Sequence, residues 1–443
     1  MGYLKVSLLR RQGDDVSKNT VAATESTSFP VSCPVEKHTT TFGNNMRLPV
    51  HRWFRYTAGY SAQWVESLLA ADHSGRTIRV LDPFAGSGTT LLAAQSAGVE
   101  SFGIDSQPFV ARIAKAKLLW TSSPIEVEAR SRLILQSYKK ASDFGEPPTL
   151  LAKCYTPSAL ADLYGLREAI AQHGGDDDIS RLLWLAFVSI IRSTSFVGTA
   201  QWQYVLPNKR KQAIDPLTAF RSQVQMMVTD IIERQAELPK PPAATFVEAD
   251  CRETGIVPSG WSTHVICSPP YANNYDYADA TRLEQTMLGE VDSWSDLKAL
   301  RTGLIRSCSQ HMVQYDTNEA FQDPILKPII DELKVVYDEL DQARLQHGGK
   351  KAYHSMIVAY FHDMAKVWIA LRDACSEGAS VCFVIGDSAP YGVYVPVERW
   401  LAELALAAGF KSWSFEKVRD RNIKWKNRKH TVPLHEGRLL VEG

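Results

Sequence analysis

Residues 78–90 read Ile78-Arg79-Val80-Leu81-Asp82-Pro83-Phe84-Ala85-Gly86-Ser87-Gly88-Thr89-Thr90. An apolar run of strand length gives way to a proline, two spaced glycines and two threonines. The pattern predicts a buried strand over 78–82, a tight turn, and a helix over 89–97 that Gly98 stops. A second strand over 101–104 and a helix over 109–120 follow. Strand, Gly-rich turn, helix and strand make the βαβ unit of a parallel sheet.

Working outward, the alternation breaks between 121 and 240, where helices are expected over 125–138, 157–172, 178–193 and 217–238. Pro239-Lys240-Pro241-Pro242 closes that block, and strands resume over 245–248 and 264–267. A second helical block spans 279–375, followed by the strongly apolar Val381-Cys382-Phe383-Val384-Ile385. A helix over 397–408 precedes an antiparallel pair over 413–418 and 438–441. The expected fold is α/β: a Rossmann-like, seven-stranded, mostly parallel sheet with an antiparallel C-terminal pair and helical insertions. Residues 1–40 read as an arm, 41–120, 241–278 and 351–443 as the sheet domain, and 121–240 and 279–350 as the insertions.

The chain has 443 residues, enough for a large core, and its 45% hydrophobic and 22% charged content is that of a globular protein. Lys plus Arg equal Asp plus Glu at 49 each, which argues against a uniformly basic surface but not against a local basic face. No apolar stretch is long enough to span a bilayer. At the N-terminus Lys5, Arg10 and Arg11 fall within or after the apolar run, the wrong order for a signal peptide. Seven scattered cysteines, without a paired CxxC or a histidine cluster, predict reduced thiols, a cytoplasmic setting and no metal.

The glycines after the first strand let the backbone approach a ligand, and the helix start offers free N–H groups to a carboxylate. Asp82 is placed to hold a cationic amino group. A dinucleotide site would show G-x-G-x-x-G and a phosphate loop a Gly-Lys pair; neither is present. The pattern therefore favours S-adenosylmethionine, with Asp82, Pro83, Phe84, Ala85, Gly86, Ser87, Gly88, Thr89 and Thr90 as its loop. Asp105 and Ser106, at the end of the second strand, sit where an acid accepts ribose hydroxyls. Asp250 and Cys251, after the third strand, sit where an adenine amino group would be read.

After the fourth strand comes Ser268-Pro269-Pro270-Tyr271. Two prolines remove two N–H donors and leave carbonyl oxygens free, so a double-donor amino group suits the site, and Tyr271 offers a face for a planar base. Together the two motifs resemble the superfamily of DNA amino-methyltransferases, which modify cytosine N4 or adenine N6. The resemblance covers the sheet core, about half the chain, and includes a loose match over 51–61. It implies the class I methyltransferase fold, S-adenosylmethionine as cofactor, base flipping, and Ser268, Pro269, Pro270 and Tyr271 as the catalytic residues. A tetrapeptide beginning with Ser is usual in the cytosine-N4 branch and one beginning with Asp or Asn in the adenine-N6 branch. The expectation is a cytosine-N4 methyltransferase of a restriction or defence system, with adenine N6 as the alternative. An RNA methyltransferase or a noncatalytic DNA-binding module is less favoured. Cytosine-C5 enzymes carry a Pro-Cys dipeptide that this chain lacks, so Cys267 reads as a buried strand thiol.

Duplex DNA as partner requires local basic faces. The segment 417–430 holds seven Lys or Arg against one Asp, and supplies Arg421, Lys424, Lys426, Arg428 and Lys429 as candidate contacts. Lys209, Arg210 and Lys211 form a second basic run near Trp202 and Tyr204. Asn273, Asn274 and Tyr275 follow the catalytic motif and are candidates for gripping the vacated strand, with Tyr277 beside them. Since the chain ends soon after the last strand, sequence readout is expected from the insertions, the first above all.

Overall fold

Strands β1 (Arg79–Asp82), β2 (Glu100–Asp105), β3 (Val197–Thr199), β4 (Val205–Arg210), β5 (Ala244–Glu248), β6 (Ser262–Cys267), β7 (Cys375–Gly386), β8 (Ser412–Arg421) and β9 (Leu434–Glu442) carry the fold. The structure is a computed structural model, and it describes residues 42–56, 58–72, 75–200, 204–312, 315–421 and 432–443. Seven of the strands form one sheet in the order β5-β2-β1-β6-β7-β9-β8. The first five run parallel; β9 is antiparallel to both β7 and β8. This is the mixed sheet of a Rossmann-like methyltransferase. β1 pairs with β2 on one side and β6 on the other, so the chain leaves the sheet centre in opposite directions. Such a reversal opens a crevice at the carboxyl ends of the strands. The turn after β1 and Ser268-Pro269-Pro270-Tyr271 after β6 both fall there.

Local chemistry explains the elements. Every residue of β6 is buried, as an apolar run inside a parallel sheet should be. Four helices start with proline at the first or second position, behind a side chain that accepts a backbone N–H: Gln107, Ser123, Thr156 and Asp215. Ser61 caps Ala62–Ala70 in the same way. Trp368 of the helix Tyr353–Ala374 stacks on Phe383 of β7 at 4.7 Å, covering one face of the sheet.

Two features depart from the sequence expectation. The β3–β4 hairpin lies where no strand was predicted; it carries Gly198, Pro207 and two basic residues, Lys209 and Arg210. β7 begins at Cys375, in a polar, glycine-containing stretch that reads as a loop, because Ser262 and Glu442 pair with it on either side.

The first insertion is continuous with the rest of the molecule. Its helices share one core with Val50, Trp53, Phe54, Phe109 and Ile113. Asp230, buried in the helix Pro216–Glu237, accepts from Val50 N–H at 3.0 Å, Trp53 Nε1 at 2.9 Å and the Arg52 guanidinium.

Candidate active site

The turn after β1 is built around two left-handed glycines, Gly86 at φ 53° and Gly88 at φ 83°. A Cβ on Gly86 would also meet the Tyr56 ring at 3.3 Å. Gly103 of β2 lets the helix Thr89–Ser96 lie against the sheet, since a Cβ there would fall 2.6 Å from Leu91 Cδ1. Asp105 closes β2 and fixes the turn: its Oδ2 accepts from Gly86 N–H at 2.8 Å and its Oδ1 from Gln107 N–H at 2.9 Å.

Asp82 takes a different place from the one expected of it. Its side chain is 1% exposed and accepts from Phe84 N–H at 3.0 Å, Tyr60 Oη at 3.1 Å and Thr90 Oγ1. It holds the turn from behind and does not line the cavity. Asp250 likewise has its carboxylate on the Arg252 guanidinium, Nε to Oδ1 at 2.8 Å. The neighbouring Cys251 reaches the cavity wall.

That cavity, open to solvent, lies at the carboxyl ends of the strands. Pro83, Phe84, Gly86, Asp105, Ser106 and Cys251 line it, and so do Ser268 and Pro270. The structure thus brings residues of both motifs to one space. Ala85, Ser87, Gly88, Thr89, Thr90, Pro269 and Tyr271 stand behind this wall. Tyr56, Ala58, Gln107, Tyr277, Gly303, Leu304 and Ile305 also line it. Tyr56 belongs to the loosely matching segment, and Tyr277 follows the catalytic motif. Nothing local in the sequence marks Gly303, Leu304 or Ile305.

Burial pushes the carboxyl of Asp82 up to about 7 and that of Asp105 up to about 6. Their hydrogen-bond donors are backbone N–H groups and hydroxyls, with no Lys or Arg among the described residues. Asp105 lies on the cavity wall and Asp82 behind it, and a carboxyl so placed fits a ligand that brings its own positive charge and hydroxyl donors.

Beside it, the Ser268 hydroxyl donates to the Val384 carbonyl at 3.3 Å. Tyr271 lies under the Arg421 guanidinium, 5.4 Å from the ring centre, and burial raises its phenol. Arg421 Nη1 in turn donates to the Asp387 carbonyl at 2.8 Å, which ties β8 to the end of β7. Ser388 Oγ donates to the Ala272 carbonyl. The Tyr275 ring is 5.6 Å from Tyr204 and 4.6 Å from Tyr277. Asp276 N–H donates to the Tyr204 hydroxyl at 2.9 Å, so the segment just before β4 rests on the chain that follows the tetrapeptide.

Residues 24–116 match the family described as DNA methylase, of the N6/N4 methyltransferase type. The Type II methyltransferase M.AvaI of Nostoc sp. is 24% identical over 403 residues, 83% of this chain and 80% of the relative. The Type II methyltransferase M.BsoBI of Geobacillus stearothermophilus is 24% identical over 426 residues, 85% of this chain and 82% of the relative. The Type II methyltransferase M.MjaII of Methanocaldococcus jannaschii is 32% identical over 97 residues, 22% of this chain and 17% of the relative. No solved structure matches the chain significantly.

The chain is similar to DNA amino-methyltransferases. An enzyme of that kind needs a cationic approach to its cavity. Lys209 and Arg210 are exposed on β4, Arg210 over the Phe196 ring at 4.4 Å. Lys211 is exposed too, but its ammonium donates to the Arg192 carbonyl. Asn273 and Asn274 have internal partners: Asn273 Oδ1 accepts from Tyr275 N–H at 3.2 Å and Asn274 Oδ1 from Ser309 N–H at 2.9 Å. With Tyr275 8% exposed, the 273–275 segment shapes the site from within. Lys424, Lys426, Arg428 and Lys429 lie outside the described residues. Among the described residues no cluster suited to a metal occurs, and no helix is long and apolar enough to cross a membrane.

Proposed function

We propose that this enzyme transfers a methyl group from S-adenosylmethionine to the exocyclic N4 of cytosine in duplex DNA. The observation that carries the reading is Ser268, first residue of its tetrapeptide, on the same cavity as Pro83, Gly86 and Asp105. When bound, the cofactor supplies an electrophilic methyl group on a positively charged sulfur. Asp105 would accept from the ribose hydroxyls, and Cys251 would lie against the adenine. The target base would enter beside Tyr277 after leaving the duplex. Ser268 Oγ and the Pro269 carbonyl would accept the hydrogens of the amino group, drawing its lone pair out of conjugation and toward the methyl carbon. With the cofactor held there, the new N–C bond would form as the S–C bond broke, and the displaced amino proton would leave to solvent. The relatives' names as Type II methyltransferases support a place in restriction and modification, with a cognate nuclease as partner. Label from methyl-tritiated cofactor is expected in duplex DNA and not in RNA; label in RNA alone would overturn the reading.

The raised carboxyls give the cofactor site a pH dependence. Neutral in the empty protein below their pKa values, Asp82 and Asp105 ionise as pH rises through about 6 to 7. Their protonation therefore contributes stability that is present in full below about pH 4, the ordinary carboxyl value, and is lost progressively as pH rises through about 6 to 7. A cationic ligand prefers the ionised form, so its affinity has the opposite sign. Titration calorimetry is expected to show S-adenosylmethionine binding roughly tenfold tighter at pH 8 than at pH 5.5, with a smaller change for neutral S-adenosylhomocysteine. Equal pH dependence for the two ligands would remove the carboxylates from the explanation.

Lys209 and Arg210 are proposed to contact phosphates. Reversing both charges is expected to weaken DNA binding and lower the slope of log affinity against log salt by about 2. An unchanged slope would take this hairpin off the DNA.

A further inference from the structure

The second insertion adds a wall to the cavity that the sheet alone does not provide. Gly303, Leu304 and Ile305 line it, and a Cβ on Gly303 would lie 3.5 Å from that of Ser106. Arg306 then fastens the segment. Its N–H donates to Asp363 Oδ2 at 2.9 Å and its Nη1 to Oδ1 at 2.7 Å. Asp363 is fully buried in the helix Tyr353–Ala374 and also receives Arg252 Nη1 at 2.9 Å. Arg252 is the residue that holds Asp250, next to Cys251 on the cavity wall. One buried carboxylate thus joins two parts of the same wall.

The other end of the segment reaches the catalytic loop. Asn274 N–H donates to the Ser307 carbonyl at 3.0 Å, and its Oδ1 accepts from Ser309 N–H at 2.9 Å and Ser309 Oγ at 2.7 Å. Asn274 has φ 64°, a left-handed conformation that few residues other than Gly and Asn accept readily. A left-handed backbone held by four hydrogen bonds, one of them from Cys308 Sγ at 3.6 Å, a few residues after Ser268, indicates a fixed junction.

We infer that residues 303–309 form a strap that couples cofactor occupancy to the catalytic loop, with Asp363 and Asn274 as its positioning residues. The strap closes the cofactor wall at one end and sets the 271–277 segment at the other. A cofactor pressing on Leu304 and Ile305 therefore orders the place where the base is received, and cofactor binding precedes productive base binding. This rests on the cavity being the S-adenosylmethionine site.

The test uses the full chain with S-adenosylhomocysteine, which cannot react, and reads calorimetric affinity and amide hydrogen exchange. In the wild type, ligand is expected to slow exchange over 271–277. Asp363→Asn keeps the shape and removes the charge, and is expected to weaken ligand binding about 10- to 100-fold. Asn274→Ala is expected to lose the protection over 271–277 at saturating ligand, and Asn274→Asp, which keeps the acceptor, to recover it. Wild-type affinity in Asp363→Asn, or retained protection in Asn274→Ala, would overturn the strap. A wild-type protein that binds no S-adenosylhomocysteine would overturn the cofactor reading instead. If Asp363→Asn does not fold, Arg306→Ala, which leaves Asp363 paired with Arg252, carries the affinity arm: weakened binding supports the strap and unchanged binding overturns it.

Discussion

Replacing Ser268 with alanine is expected to slow methyl transfer by about 10²- to 10³-fold, the usual cost of removing one hydrogen-bonding group aimed at the reacting atoms. The residue has little structural weight. Its hydroxyl makes neutral hydrogen bonds, to the Val384 carbonyl at 3.3 Å and with the Tyr271 phenol, and the loss of each costs about 1 kcal/mol. The acidic wall around Asp105 and the glycine turn come from β1 and β2, so cofactor affinity is expected to stay within about threefold. Single-turnover transfer measured at saturating cofactor, beside calorimetric affinity, separates the two quantities. Unchanged turnover would remove Ser268 from the reaction; a parallel loss of affinity would make it a binding residue.

The largest stability effect is expected at Asp230, far from the cavity. Asp230→Ala would strand Val50 N–H, Trp53 Nε1 and the Arg52 guanidinium, all of which the carboxylate now receives. Removing one member of a buried charged pair costs about 3–5 kcal/mol. Val50 compounds the effect: it is β-branched at φ 65°, and the bond to Asp230 helps hold it there. The consequence reaches the site through Tyr56, only a few residues on, whose ring packs over Gly86. Urea unfolding of wild type and variant measures the cost, and a change under about 1 kcal/mol would show the network to be dispensable. The same contacts mean that the first insertion cannot be exchanged for a short linker without opening the core it shares with Phe54, Phe109 and Ile113. DNA readout by this insertion is therefore better tested by surface substitutions such as those at Lys209 and Arg210.

The parts of the fold that were legible in the sequence are those set by local chemistry. Leu81 and Val265 sit in apolar runs that can only be buried strands, and Pro108, Pro124, Pro157 and Pro216 mark helix starts with capping residues before them. The glycine turn and Ser268 were legible because close backbone approach and missing N–H donors are written in residue type. The roles of Asp82 and Asp250 were not. Both are acids at strand ends, and which way each points depends on Tyr60, Thr90 and Arg252, residues whose relevance only the folded chain reveals. Asn274 reads as a polar loop residue until Ser307 and Ser309, distant in sequence, are brought to it. The β3–β4 hairpin was missed because three residues of β3 carry no usable period.

The central claim is that one cavity holds the cofactor and a flipped cytosine with Ser268 at the amino group. The most direct test is to methylate duplex DNA with this protein and S-adenosylmethionine, digest the product to nucleosides, and identify the modified base by mass spectrometry. N4-methylcytosine is expected. N6-methyladenine in its place would contradict the assignment of Ser268 to cytosine, and no methylated nucleoside at all would contradict methyl transfer to DNA by this protein.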